Sequence, residues 1–256
     1  MNASLINTKL IKYEFRNLMG NILTMIFGVL FPIFMTIFLG KVMLKQIPES
    51  GRDTFITNIF ITSSLIIPLA TILIGFSAVF SQELEKNVPL RFRLFGYSET
   101  TILVSKIVAN TIFITLSFAL YSLIVCTVLK VQTPTLSALL IFIISLYLLS
   151  AFLFVLSYGM ALYFKKFGPT FGTSMILYFA VMILSGMFGI QVKNFPSSLK
   201  TVAYCFPTTY ISSDFVDFWT GGSYNFVPFI QSFIFFAALS SIILFLSIQH
   251  NSRRVK

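Results

Sequence analysis

From Thr54 to Gln82 the sequence contains no Asp, Glu, Lys or Arg, and the same is true from Ile107 to Leu129. An apolar run of about 20 residues is long enough to cross the hydrocarbon core of a bilayer as a helix. Backbone polar groups find no water there, so only helices and closed barrels can span it. Further runs of this kind cover Asn17 to Gly40, 135–164, 171–190 and Asn225 to Gln249, and the third span reads as 102–129. Pro32 falls inside the first span, and Pro68 and Gly75 inside the second. Pro134 is expected in the first turn of the fourth, and Gly172, Gly186 and Gly189 of the fifth permit close helix approach. Only 10% of the 256 residues are charged, against about 25% in soluble domains. The expected fold class is all-α integral membrane, six transmembrane helices in a single transmembrane domain over 1–256.

Three stretches interrupt the apolar pattern. Residues 4–19 place Leu5, Ile6, Leu10, Tyr13 and Leu18 among Asn7, Lys9, Lys12, Glu14 and Arg16. This fits an amphipathic helix in the membrane interface, with a solvated N-terminus as the alternative. No small-residue cleavage site follows, so no cleavable signal peptide is expected. Residues 191–225 mix Lys193, Lys200, Asp214, Asp217 and Gly221-Gly222 with aromatic residues. Their apolar pieces are too short to span and suggest re-entrant or interfacial segments. Phe195, Phe206, Pro207, Tyr210, Phe215 and Trp219 are the candidate residues there. The aromatic ones form either a wall near an exit or an interfacial belt.

The third interruption, Ser81 to Lys106, is the most informative. Glu83, Glu85, Lys86, Arg91, Arg93, Glu99 and Lys106 lie within it, together with Pro89 and Gly96. Such a segment cannot lie in hydrocarbon and must face water and a partner. Ser81-Gln82-Glu83 is expected to open a short helix with Glu83 and Glu85 in its first turn. Pro89 then breaks or bends that helix. Arg91, Phe92, Arg93, Leu94 and Phe95 alternate charge and apolarity, Gly96 allows a turn, and Ser98 caps the third span. A transverse helix of this kind suits docking into a cleft on a soluble protein, with a loop of basic lipid anchors as the alternative.

Charge counting sets the orientation. Lys9, Lys12, Arg16, Lys86, Arg91, Arg93, Lys106, Lys165, Lys166, Arg253, Arg254 and Lys256 fall on one side, and Lys41, Lys45, Arg52, Lys130, Lys193 and Lys200 on the other, twelve against six. Basic residues favour the cytoplasmic side. Both termini and the 81–106 stretch are therefore expected in the cytoplasm, and 191–225 outside. The +10 net charge reads as basic loops against anionic membrane lipid, with no nucleic acid partner.

The chemistry-bearing patterns exclude more than they suggest. No phosphate loop, dinucleotide fingerprint, zinc-protease or serine-hydrolase motif occurs. Cys126, Cys205 and the single histidine, His250, make no disulfide framework or metal site. Ser117, Ser145 and Ser185 have no activating partner and read as helix-packing hydroxyls. The middles of the spans carry no ionisable residue, which counts against an ATPase-independent secondary carrier. The chain is expected to bind no metal or cofactor, to catalyse nothing, and to draw energy from a partner.

At the 81–106 stretch the sequence resembles a permease subunit of the ABC-2 exporter type. That family has an E-x-E-[KR] unit after its second span and a Lys at the start of its third, matched by Glu83, Glu85, Lys86 and Lys106. A small residue, commonly Gly, often follows the unit, and a Pro the later turn. Here Asn87 and Phe95-Gly96 stand at those places, and Pro89 comes early. Phe206-Pro207-Thr208-Thr209-Tyr210 is similar to the family's P-x-x-Y element. The resemblance covers nearly the whole chain. It implies an exporter in the plasma membrane that pairs with a second copy or a related permease and with an ATPase subunit that holds ATP and Mg. It further implies a coupling segment over 81–100, an interfacial helix over 4–19 and re-entrant helices in 191–225. The coupling contact would fall on Glu83, Glu85, Lys86, Pro89, Arg91, Phe92, Arg93 and Gly96. The cargo would be hydrophobic or amphiphilic, such as a drug, peptide or lipid, or else a polysaccharide or teichoic acid.

Overall fold

A computed structural model describes residues 6–44, 47–189 and 192–254. Residues 4 and 5 of the expected interfacial helix, Lys45, Ile190, Gln191 and Lys256 lie outside these. Among the described residues the chain is all helix and turn, without a strand. Six helices among the described residues are long and apolar enough to cross a membrane, so the protein is a multi-pass membrane protein.

Helix α1 (Thr8–Gly20) starts at Asn7, whose side chain accepts the N–H groups of Lys9 and Leu10 at 3.1 Å. Its buried residues, Leu10, Glu14 and Leu18, recur every fourth position and form one stripe against the bundle. At Asn21 the backbone becomes extended, and the Asn21 side chain caps the next helix by accepting from Leu23 and Thr24. The first span therefore begins at Ile22 and not at Asn17. Asparagine competes with helix through its own local hydrogen bonds, and here that divides an uncharged run in two.

Helices α2 (Ile22–Met43) and α3 (Glu49–Glu85) each contain a wide π-helical stretch, Ile26–Leu30 in the first and Leu69–Phe76 directly after Pro68 in the second. The two stretches meet face to face. A Cβ added to Gly28 would sit 2.8 Å from the Thr71 hydroxyl, and one added to Gly75 would overlap Thr24. Each helix thus seats its threonine on the other's glycine. The central window of α3 is wholly enclosed, while more than half of each other span's apolar window is not buried. Helix α3 is therefore the axis of the bundle.

Pro89 opens the short helix α4 (Val88–Leu94) instead of breaking one, and Ser81 to Glu85 complete α3. Proline lacks only an N–H that a first turn leaves unpaired, so it is compatible with this position. Between the two helices Asn87 is left-handed, with φ of 54°. Asparagine tolerates that region better than most residues, which explains how it stands where a glycine is common. Gly96 turns with φ of 87°, and the Ser98 side chain accepts from Thr101 N at 3.0 Å to cap α5 (Glu99–Val128), both as the sequence predicts.

Helix α6 (Leu136–Phe164) is capped by Thr135, so Pro134 precedes the cap and does not enter the first turn. Helix α7 (Phe167–Leu184) starts earlier than expected because Lys165 turns left-handed at the end of α6, with φ of 52°. Gly186 and Gly189 lie beyond α7 in positive-φ turns, and a Cβ on Gly172 would meet nothing within 4 Å. Neither Gly172 nor Gly189 brings helices together among the described residues. Gly159 does, since a Cβ there would lie 3.0 Å from the Leu244 backbone. The short helices α8 (Ser197–Ala203), α9 (Pro207–Ser213) and α10 (Phe215–Trp219) precede the last span, α11 (Phe226–Arg254).

Candidate functional site

Glu83 and Glu85 lie on the last turn of α3. Residues two apart on a helix point about 200° from each other, so the two carboxylates reach opposite neighbours. Glu83 Oε2 is 2.7 Å from Lys106 Nζ, on the first part of α5. The same ammonium lies 2.8 Å from Glu14 Oε2 on α1. The side chains of Lys106, Glu14 and Glu83 are only 2%, 5% and 10% exposed. Lys106 also sits 5.8 Å from the centre of the Phe80 ring. One lysine and two carboxylates thus pin three helices together, and Glu14 Oε1 has no hydrogen-bond partner among the described residues. Burial holds the Glu14 carboxyl above the usual carboxylate range; Lys106 pulls against that shift and Glu83 adds to it.

Glu85 turns the other way. Its Oε2 accepts the N–H of Phe167 at 3.0 Å, at the start of α7, where Lys166 offers no side-chain cap. A carboxylate at a helix N-terminus satisfies an orphan donor and complements the dipole. Glu85 therefore caps a helix 82 residues away in sequence.

Helix α4 hangs from this junction. Phe92 packs inward, edge-on to Tyr13 of α1 at 5.7 Å and to Tyr97 at 6.0 Å. Lys86, Arg91 and Arg93 are exposed, as are Leu90, Leu94 and Phe95 at 53%, 81% and 80%. Arg93 pairs with Glu99 at 2.6 Å on the open surface. Pro89 and Gly96 shape the two ends of the helix. The sequence had placed Glu83 and Glu85 among the outward residues with Lys86, Arg91 and Arg93. In the structure Glu83 is enclosed and Glu85 is engaged with α7. Glu14 was missed as a member of the cluster. The signal for it was its place between Leu10 and Leu18 in the buried stripe.

At the other end, α8, α9 and α10 fold against the bundle. Phe215 and Trp219 are buried around Phe142, with ring centres at 5.8 and 5.4 Å. Trp219 Nε1 donates to Gln132 O at 2.7 Å, and Thr135 N to Trp219 O at 3.0 Å. Phe206 and Tyr210 are half-buried, against Phe236 and Tyr204 respectively. Pro207 starts α9, and Phe195 is half-buried. A cavity of about 540 Å³ lies beside them, lined among others by Asn58, Thr62, Ser63, Ser212, Lys193 and Asp214. Its lining includes none of Phe195, Phe206, Tyr210, Phe215 or Trp219.

Among the described residues no three His, Cys, Asp or Glu gather as a metal site. Cys126 and Cys205 are free thiols. Ser145 bonds to Ile141 O of its own helix, and Ser185 to Thr208. Residues 8–217 match the family profile described as ABC-2 type transporter. No curated protein matches the sequence.

Proposed function

The chain belongs to the ABC-2 type transporter family, and from that premise we propose that it is the membrane subunit of an ATP-driven exporter. It does not itself catalyse a reaction. In this reading a separate ATPase subunit holds ATP and Mg, and a second copy or a related permease completes the pathway. The charged end and both termini face the cytoplasm, α1 lies in the inner interface, and α8 to α10 are the short re-entrant helices near the outer exit of a single transmembrane domain in the plasma membrane.

The observation that carries the proposal is the opposed pair at the end of α3. Helix α4 is the coupling helix, and its exposed Leu90, Arg91, Leu94 and Phe95 form the face that meets the ATPase, with Lys86 and Arg93 at its sides. The role expected of Glu83 and Glu85 changes accordingly: they transmit and do not dock. Glu83 carries a displacement of α4 to α1 and α5 through Lys106, and Glu85 carries it to α7. One push thereby reaches four helices without any ionisable residue in the membrane centre. The cargo is hydrophobic or amphiphilic. The cavity beside α9, whose lining mixes hydroxyl and amide groups with apolar side chains, favours a second reading, a hydroxyl-rich polysaccharide or teichoic acid cargo.

Co-expression with the ATPase subunit tests this. Leu94→Asp with Phe95→Asp abolishes ATPase association while the permease keeps its Tm. Glu85→Ala keeps the association but loses cargo-stimulated ATP turnover. Unchanged association in the α4 variant would remove the docking role from that helix.

A further inference from the structure

A second cavity, about 580 Å³, lies where α1, the Asn21 break and the end of α3 converge. Its lining is mixed. Ile22 and Val79 are among its apolar residues, and Arg16, Lys86, Asn17, Gln82 and Glu83 among its polar ones. Among the described residues Arg16 and Lys86 form no ion pair, whereas Glu83 on the same wall is held by Lys106 at 2.7 Å. Arg16 and Lys86 are exposed, and their charges are available to an anion that enters the cleft. The cleft also lies at the depth where a bilayer changes from headgroup to hydrocarbon, because α1 passes there from an amphipathic helix into the first span.

We propose that this cleft binds the headgroup of an anionic phospholipid. The phosphate lies between Arg16 and Lys86, and the amide of Gln82 provides a further donor, while the Asn17 amide donates to Glu83 Oε1 at 3.5 Å. The acyl stem leaves along Ile22 and Val79. Inner leaflets are the anionic ones and attract basic side chains at this depth. The inference rests on the proposed function only in placing this end of the bundle at that leaflet. A lipid held here would join α1 to the root of α4, beside the buried ion cluster.

The full chain, reconstituted in phosphatidylcholine nanodiscs with and without phosphatidylglycerol, supplies the test. Phosphatidylglycerol is expected to raise Tm for the native chain and for Arg16→Lys with Lys86→Arg. Arg16→Gln with Lys86→Gln should lose the rise, and titration by native mass spectrometry should show binding weakened about thirtyfold, the combined worth of two basic groups. Lys165→Gln with Lys166→Gln, a basic pair at the same end of the bundle, should keep it. Equal losses in the two glutamine pairs would mean diffuse surface charge and overturn the site, as would the absence of any phosphatidylglycerol effect. Glycerol phosphate added in detergent separates the sources: a matching rise in Tm would assign the cleft to a soluble phosphate ester and sink the lipid. No ATPase is present in any arm. A chain that binds phosphatidylglycerol here but recruits no ATPase upholds the site and breaks the coupling reading, and the converse result does the opposite.

Discussion

The two ends of the bundle are held by opposite chemistry. At one end Lys106, Glu14 and Glu83 join three helices through buried charge, and Glu85 joins a fourth. At the other, Trp219, Phe142, Phe215 and Phe60 interlock as rings, with neutral hydrogen bonds at the edges. Ring packing depends on shape, falls off over short distances and hardly responds to pH. Buried charge acts over longer distances but becomes costly as soon as one partner leaves. The charged end is therefore linked as one unit, and the aromatic end is held by close ring contacts that resist deformation.

The sharpest way to break the comparison is Lys106→Ala. It leaves two buried carboxylates without a counter-ion and should cost about 3–5 kcal/mol of stability. Trp219→Ala at the opposite end should cost about 3 kcal/mol through lost area and a cavity. Size alone does not distinguish them, but pH does. Without Lys106, Glu14 loses the one influence that opposed its upward shift. Acidification then protonates it and restores part of the loss, whereas the Trp219→Ala deficit should stay flat. Thermal unfolding in detergent between neutral and mildly acid pH reads both. Parallel pH profiles would mean that the two ends do not differ in the way described.

Gly75→Val probes the joint between the ends. Its side chain would overlap Thr24, and overpacking of this kind costs about 1–3 kcal/mol. Pairing it with Thr24→Ala should recover most of that, measured by Tm. Loss of a helix cap costs about 1 kcal/mol, so Glu85→Ala should lower Tm modestly, and Glu85→Gln, which keeps an acceptor oxygen for Phe167 N, should lower it less. The smallest effect is expected for Glu14→Gln. A carboxyl raised in the folded state contributes stability that is fully present below its unfolded value and is lost as pH rises through the folded one. Removing the ionisable group should flatten that slope while Lys106 keeps Glu83 as its partner. A steeper slope in the variant would contradict the direction of the Glu14 shift.

Much of the architecture was legible in the sequence because membrane spans are defined by the absence of charge, which needs no knowledge of neighbours. Gly96 and Ser98 were legible too, since turn and cap preferences are local. The boundaries that moved did so at Asn21 and Lys165, where a single residue's backbone preference divides or ends a helix within a run that hydropathy treats as continuous. Glu83 was read as water-facing because its neighbours in sequence are charged. Its actual environment comes from Glu14 and Lys106, 69 and 23 positions away, and linear order does not show which face of a helix turns inward. Phe215 and Trp219 show the same limit: aromatic composition fits a cavity wall and a packed core equally well, and the partner that decides, Phe142, lies on another span.

The enclosure of α3 has a consequence for how the protein is made. It is synthesised second among the spans, yet much of what encloses it, α5, α6 and α7, follows it in the chain. For a time its hydroxyls must face lipid without those partners. Thr57 bonds to Asp53 O at 2.8 Å and Ser64 to Ile61 O at 2.6 Å, and Ser77 bonds to Leu73 O, all within the same helix. A side chain satisfied by its own backbone does not depend on a neighbour that has not yet left the ribosome. Thr57, Ser64 and Ser77 can therefore wait in the bilayer already paired within the helix, whereas Thr62, which bonds to Ser212 O, gains its partner only when the later chain arrives.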